Sequence, residues 1–440
     1  MKVLVRTDAS VEIGSGHLMR CLTLADQLRG EDAEVAFACR DLPGGMFDLL
    51  QAHGYQFARL PLAEADESSQ RDDAEETIKA VRQFFPDGLD WLVVDHYGLD
   101  ATWERMLRRH ARKLMVIDDL ANRQHDCDLL LDQNYYRDLE QRYQGLVPEH
   151  CVTLLGPAHV LLRPEFAEAR QRLRARDGTV RCILVFFGGS DQTNQTQKMV
   201  EALKQLNRPD IGVDVVVGSI NSYRNTIQAL CDELPNVTFH CQVSNMAELI
   251  LNADLGVGAG GAATWERCCL GLPTITVVFA ANQERTTVDI AEIGAIEYLG
   301  WSDKLGPEDY ARSVARMIGN PQRVRQIGEA ALAVRAAAKD VGAEQYVNVL
   351  GYSVKPGFSF NDETGQVSMV ARTLFLQETI ARGLLMPYVV PSYAHKKETI
   401  NFAVECVRDA LVVMKKAAEG PGMAAAIDGG IVKPVFRKFN

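Results

Sequence analysis

Twice along this chain, short β-branched runs alternate with amphipathic stretches, and that rhythm constrains the fold more than any other feature of the sequence. In the first pass KVLVRTD leads into HLMRCLTLADQLRG, then EVAFACR, and later WLVVDHY and KLMVIDD. Strands that alternate with helical stretches pair in parallel, because each crossover helix returns the chain to the same end of the sheet. Helices then cover both faces, and ligands sit at the carboxyl ends of the strands. After residue 165 the charged stretch EFAEARQRLRARDGTVR reads as a connector, and the rhythm restarts with CILVFFGGSD, VDVVVGS, ADLGVGAGG and PTITVVFA. The expectation is an α/β protein with two tandem domains, residues 1–165 and 178–345, facing a crevice where a ligand can bind.

The chain has 440 residues, beyond the ~250–300 at which single cores stop growing, so a third unit is expected over 351–440. GYSVKPGFSFNDETGQ reads as a loop or linker from its Gly, Pro, Asn and Asp content. Beyond it TLFLQETIARG has helical spacing, PYVVPSYAH reads as a short strand, and ETINFAVECVRDALVVMKKAAEG reads as an amphipathic helix. Together they suggest a small C-terminal α/β module.

Hydrophobic residues make up 47% and charged residues 24%, the balance of a soluble globular protein. Arg6 and Asp8 break the N-terminal apolar run before it reaches the length of a signal-peptide core, and no run approaches a membrane span. The ten cysteines include no CxxC pair, which fits reduced thiols in a cytoplasm. A net charge of −11 argues against nucleic acid, whose backbone needs a basic surface. An anionic nucleotide must then be held locally, by helix N-termini and a few arginines.

Four short elements carry candidate chemistry. The first strand runs into Gly14, Ser15, Gly16 and His17 and then into a helix. The glycines allow a tight turn beside a ligand, and His17 is either a base at the crevice or a helix cap. A dinucleotide fingerprint would need glycine where Met19 stands. The second domain opens with Gly188, Gly189, Ser190 and Asp191, whose amides and following helix N-terminus can face a diphosphate, or whose Ser or Asp can simply cap that helix. A third loop, with Gly258, Gly260 and Gly261, precedes the helix that bears Glu266. A carboxylate there can read a ribose diol or favour the helix dipole. Asn282 and Gln283 follow the strand TITVVF, where amides can donate to and accept from acetamido or hydroxyl groups. Asp8, Asp95, Asp118 and Asp119 end strands, and Asp118 and Asp119, as neighbours, point to opposite faces and make a poor metal site.

In order and spacing, DASxxIGSGHLMRCLTLA, VVDHY, VIDD, FFGGSD, GAGGAATWERCCLGLP and FAANQ resemble the UDP-2,4-diacetamido-2,4,6-trideoxy-β-L-altropyranose hydrolases of pseudaminic acid biosynthesis, over residues 1 to about 345. The resemblance implies two Rossmann-like domains of glycosyltransferase B type, akin to the transferase that builds lipid II. It implies His17 as the catalytic base, UDP held by Gly188, Gly189, Ser190, Asp191, Gly260, Gly261 and Glu266, and the sugar met by Asn282 and Gln283. Proximity adds Asp8, Gly14, Gly16, Arg20, Asp95 and Tyr97 to the sugar pocket. The implied reaction is inverting hydrolysis of the UDP-linked sugar with no metal and no cofactor, in the cytoplasm. A transferase using the same donor and a non-catalytic UDP-sugar-binding protein are the competing readings. The last ~90 residues are similar to the C-terminal end of class III PLP-dependent aminotransferases, without the domain that bears their Schiff-base lysine. This implies a non-catalytic tail that serves as a packing or self-association surface.

Overall fold

The computed structural model describes residues 1–10, 12–62, 69–174, 176–292, 294–322, 347–352, 355–362, 368–382, 384, 397–420 and 422–428. Seven strands, β1 (Lys2–Thr7), β2 (Glu34–Arg40), β3 (Gln56–Leu60), β4 (Leu89–Asp95), β5 (Ala111–Ile117), β6 (Leu129–Asp132) and β7 (Val152–Leu155), form one sheet in the order β3-β2-β1-β4-β5-β6-β7. Six more, β8 (Cys182–Phe186), β9 (Gly212–Val217), β10 (Val237–Cys241), β11 (Leu255–Ala259), β12 (Thr274–Val278) and β13 (Glu297–Trp301), form a second in the order β10-β9-β8-β11-β12-β13. Every pairing in both sheets is parallel, as the alternating rhythm demands.

Period-2 alternation splits each strand between two cores. Val3 and Val5 of β1 face the helix Gly16–Gly30 side, while Leu4 faces the opposite layer with Leu92 and Trp103. Ile183 and Val185 of β8 enter one core of the second sheet, and Leu184 enters the other with Trp265 and Phe166. Each such fully buried aliphatic side chain contributes about 1.5–3 kcal/mol. In both sheets the strand order reverses between the first strand and its fourth, β1 beside β4 and β8 beside β11. Loops diverge at such a switch point and leave a crevice at the carboxyl ends of the strands.

The charged connector is docked rather than free. Pro164–Gln171 is a helix, and Arg176 beyond it donates to Ala253 O (2.9 Å), Leu270 O (2.8 Å) and Ile250 O (3.0 Å). These are carbonyls at or just past the ends of the helices Met246–Asn252 and Ala262–Cys269, which a guanidinium satisfies while opposing the negative helix ends.

GYSVKPGFSFNDETGQ is not a linker throughout. Val347–Tyr352 (β14) and Lys355–Phe360 (β15) form an antiparallel ribbon, whose register sets Val347 opposite Phe360 and Val349 opposite Phe358. A two-stranded ribbon has only edges, where Pro356 is tolerated. The helices Met369–Ala381 and Lys397–Ala418 follow and share a core of Leu374, Phe375, Val407, Leu411 and Met414. The strand expected over PYVVPSYAH lies outside the described residues. Among the described residues no helix is long and apolar enough to cross a membrane.

Candidate active site

The helix Gly16–Gly30 starts directly after the β1 loop, where Gly14 takes a left-handed φ of 81° and its N–H bonds Ser10 O at 2.8 Å. Residues three and four apart share a helix face, so His17, Arg20 and Cys21 converge on one point. That point is Asp95, the last residue of β4, paired in register with Thr7 of β1. His17 Nδ1 lies 2.5 Å from Asp95 Oδ1, Arg20 Nε 2.5 Å from Oδ2 and Arg20 Nη2 2.6 Å from Oδ1.

Asp95 is 1% exposed. Burial alone would raise its pKa, but the Arg20 guanidinium and His17 outweigh it and hold the carboxyl well below the usual range. An ionised carboxylate only accepts. His17 must therefore donate from Nδ1, which leaves the Nε2 lone pair as the ring's acceptor.

Tyr97 stands edge-on to the His17 ring, 4.6 Å between centroids at 82°. Its hydroxyl accepts from Asn282 Nδ2 of the second domain at 3.0 Å. Burial and then the neighbouring Asp119 charge push the Tyr97 phenol well up, so it stays protonated. Asp119 accepts from Asn134 Nδ2 (3.2 Å) and lies 3.6 Å from Arg20 Nη1. Asn134 Oδ1 in turn accepts from Trp265 Nε1 at 2.9 Å. A continuous polar path thus runs from the helix that bears Glu266 to the groups around His17.

Across the crevice, a Cβ on Gly189 would come within 3.4 Å of Ser15 Oγ, so the second domain's first loop faces the His17 loop. Gly188 (φ 99°) and Gly261 (φ 115°) adopt backbone conformations that side chains disfavour. Gly260 is closed in, since a Cβ there would meet Thr287 Oγ1 at 2.8 Å. The helix Ala262–Cys269 starts at Gly261 without a side-chain cap, leaving N-terminal amides and a positive dipole end for an anion. Glu266, on that helix, is half-buried and accepts from Arg163 Nη2 at 3.1 Å. Burial raises its pKa in spite of Arg163.

Two expected contacts turn inward. Asp191, expected among the UDP ligands, accepts from Gln195 N (2.9 Å), Thr196 N (2.8 Å) and Thr196 Oγ1 (2.6 Å), so it caps the helix Gln195–Leu206. The Asp191 carboxylate already takes that helix's first amides, which leaves the backbone amides of Gly188, Gly189 and Ser190 as the loop's candidates for an anion. Asp8, expected in the sugar pocket, is 2% exposed, pairs with Arg6 (2.6 Å) and His96 (3.2 Å), and accepts from Arg40 N (2.8 Å). Arg6 also grips Asp73, which takes Trp103 Nε1–H at 3.0 Å. Asp8 therefore braces the layer behind the site. Gln283 Oε1 accepts from Phe279 N at 3.0 Å, which fixes the turn, while its Nε2 lies beside the Gly261 loop, 3.6 Å from where a Cβ on Gly261 would stand.

Asp118 and Asp119, just past the end of β5, diverge: Asp118 pairs with Arg123 at 2.8 Å and accepts from Ala121 N, while Asp119 turns to Arg20 and Asn134. The sequence reading missed Arg163, Asn134, Trp265 and the site role of Asp119. Arg6 carried a legible signal, a charge inside an apolar strand.

Residues 183–344 match the model of the glycosyltransferase family 28 C-terminal domain. The chain is 26% identical over 300 residues, 68% of its length and 99% of the relative's, to the UDP-2,4-diacetamido-2,4,6-trideoxy-beta-L-altropyranose hydrolase of Campylobacter jejuni. It is 24% identical over 324 residues, 73% of its length and 90% of the relative's, to the spore coat polysaccharide biosynthesis protein SpsG of Bacillus subtilis. A Methanocaldococcus jannaschii protein is 24% identical over 295 residues, 66% of this chain, and the match spans only 58% of that relative's length. Among solved structures, MurG of Acinetobacter baumannii superposes with a TM-score of 0.51 at 16% identity, over 74% of this chain and 92% of that one. With its two parallel sheets facing one crevice, the chain has a glycosyltransferase B fold.

Proposed function

We propose that this protein hydrolyses a UDP-linked diacetamido sugar, UDP-2,4-diacetamido-2,4,6-trideoxy-β-L-altrose, to UDP and the free sugar. The observation that carries the reading is the Asp95–His17 pair, clamped by Arg20, which leaves Nε2 as a base at the crevice. Water attacks the anomeric carbon from the face opposite UDP while His17 Nε2 takes its proton. The anomeric C–O bond breaks and its electron pair leaves with the diphosphate. Backbone amides of Gly188, Gly189 and Ser190 and the uncapped end of the Ala262–Cys269 helix take up that charge. A diphosphate is a good leaving group, so the acid carboxylate of ordinary glycosidases is dispensable, and a single displacement inverts the centre. Glu266 reads the ribose, and Asn282 and Tyr97 meet the sugar.

The match to a glycosyltransferase 28 domain favours one rival, in which His17 deprotonates an acceptor alcohol instead of water. UDP release from a panel of UDP-diacetamido sugars, in buffer with EDTA and no acceptor, separates the two. Sustained turnover on this sugar supports hydrolysis without a metal. Release that needs an added alcohol would show a transferase, and activity that EDTA removes and magnesium restores would show a metal-dependent site.

A further inference from the structure

Outside the site, Cys127 and Cys151 bring their sulfurs to 3.5 Å. Cys127 precedes β6 and is fully buried, and Cys151 precedes β7 and is partly exposed. The two strands are adjacent and parallel, with Leu129 opposite Val152 and Val152 N bonded to Asp128 O at 2.9 Å. Cys127 lies one residue off register from Cys151, and their sulfurs need close only from 3.5 Å to the ~2.05 Å of a disulfide. We propose that Cys127 and Cys151 form a thiol–disulfide modification site, which a hydroperoxide oxidises to a covalent clamp around a first-domain segment that touches the second domain.

The chain between them carries several cross-domain contacts. Asn134 accepts from Trp265, Arg137 N donates to Asp289 Oδ2 at 3.1 Å, and Asp138 pairs with Arg285 at 2.5 Å. A bond between residues 127 and 151 closes a ring through this segment.

The chemistry has a built-in order. Either sulfur can donate to the other, but Cys151 is the one that solvent reaches, and its thiol is lowered by the hydrogen bond with Cys127 and by Arg108, against its burial and the charges of Asp128 and Glu104. The exposed partner is therefore the nucleophile. Its thiolate attacks one peroxide oxygen, the O–O bond breaks, and Cys151 becomes a sulfenic acid as hydroxide leaves. Cys127 sulfur then attacks the Cys151 sulfur, and its proton goes to the departing hydroxide. Two thiols lose two electrons and two protons, and hydrogen peroxide becomes two waters.

The inference does not depend on the proposed reaction. Full-length protein treated with hydrogen peroxide should yield, on non-reducing peptide mapping, a Cys127–Cys151 cross-link that dithiothreitol reverses. Its melting temperature should rise by on the order of 5 °C, since the closed ring restricts the unfolded chain. Amide exchange over residues 133–142 should slow. In Cys127→Ser, dimedone should trap a sulfenic acid at Cys151. Peroxide that oxidises other thiols while leaving this pair unlinked would overturn the proposal, as would a Cys127→Ser variant with no dimedone adduct at Cys151.

Discussion

At the residue scale the account turns on how one buried carboxylate is kept charged. Asp95 has two oxygens and four donors around them, two from Arg20, one from His17 and the thiol of Cys21 at 3.4 Å. Replacing it with Asn puts an NH2 group against one of those donors. Facing His17, it would drive the proton from Nδ1 to Nε2 and abolish the base. Asp95→Asn should therefore lower kcat by ~10²–10⁴, as should His17→Asn, with UDP affinity nearly unchanged in both. Steady-state rates beside UDP titration check this, and an Asp95→Asn enzyme of near-normal kcat would contradict it. Asp132 behaves in the opposite sense. Burial pushes its pKa up to about 7, against Asn134 N and Arg142 that favour its charge, while Asp119 adds to the rise. The unfolded chain ionises near 3.9, so the stability from the neutral form is complete below that value and is lost as pH climbs through 7. Asp132→Asn, fixed in the neutral form, should match the wild type at pH 4 and exceed it at pH 8. Urea midpoints at the two pH values test this, and an equal difference at both would refute it.

At the scale of elements, the glycine loops work because neighbouring backbones nearly touch. A Cβ on Gly218, just after β9, would lie 2.5 Å from Gly189 O and 2.7 Å from Gly189 Cα. Gly218→Ala should cost about 1–3 kcal/mol and displace the loop proposed to hold the diphosphate. Thermal melting and UDP titration read the two effects, and a variant unchanged in both would contradict the packing. These loops and His17 were legible because each is a local pattern, a strand running through glycine into a helix. The parallel pairing of the strands followed from the same rhythm, though their order did not. Partners set by docking were not legible. Arg163 meets Glu266 across 103 residues and Asn134 meets Trp265 across 131, and no local spacing encodes such pairs. Asp191 and Asp8 misled for a related reason. A carboxylate after a strand is equally apt for a ligand, a helix cap or an ion pair, and only the positions of Thr196 and Arg6 decide.

For the whole molecule, the six strands of the second sheet repeat the order of the first six in the first sheet, and the groups proposed to react and to face the diphosphate occupy the two switch points. Contacts such as Asn282 to Tyr97 join them across the crevice. The C-terminal unit is organised around its own small core. The boundary expected at 351 falls inside β14, so a clean cut lies earlier. Truncation after Glu344, where the glycosyltransferase 28 match ends, removes the ribbon intact and should preserve hydrolysis. A folded but inactive truncated protein would place the tail in the site. The central claim is that water attacks the anomeric carbon. Reaction in H₂¹⁸O, followed by mass spectrometry of both products and by NMR of the first-formed anomer, tests it most directly. The account predicts one ¹⁸O on the sugar, none in UDP, and an inverted anomeric centre. Label in the UDP phosphate, or a first-formed sugar of retained configuration, would contradict it.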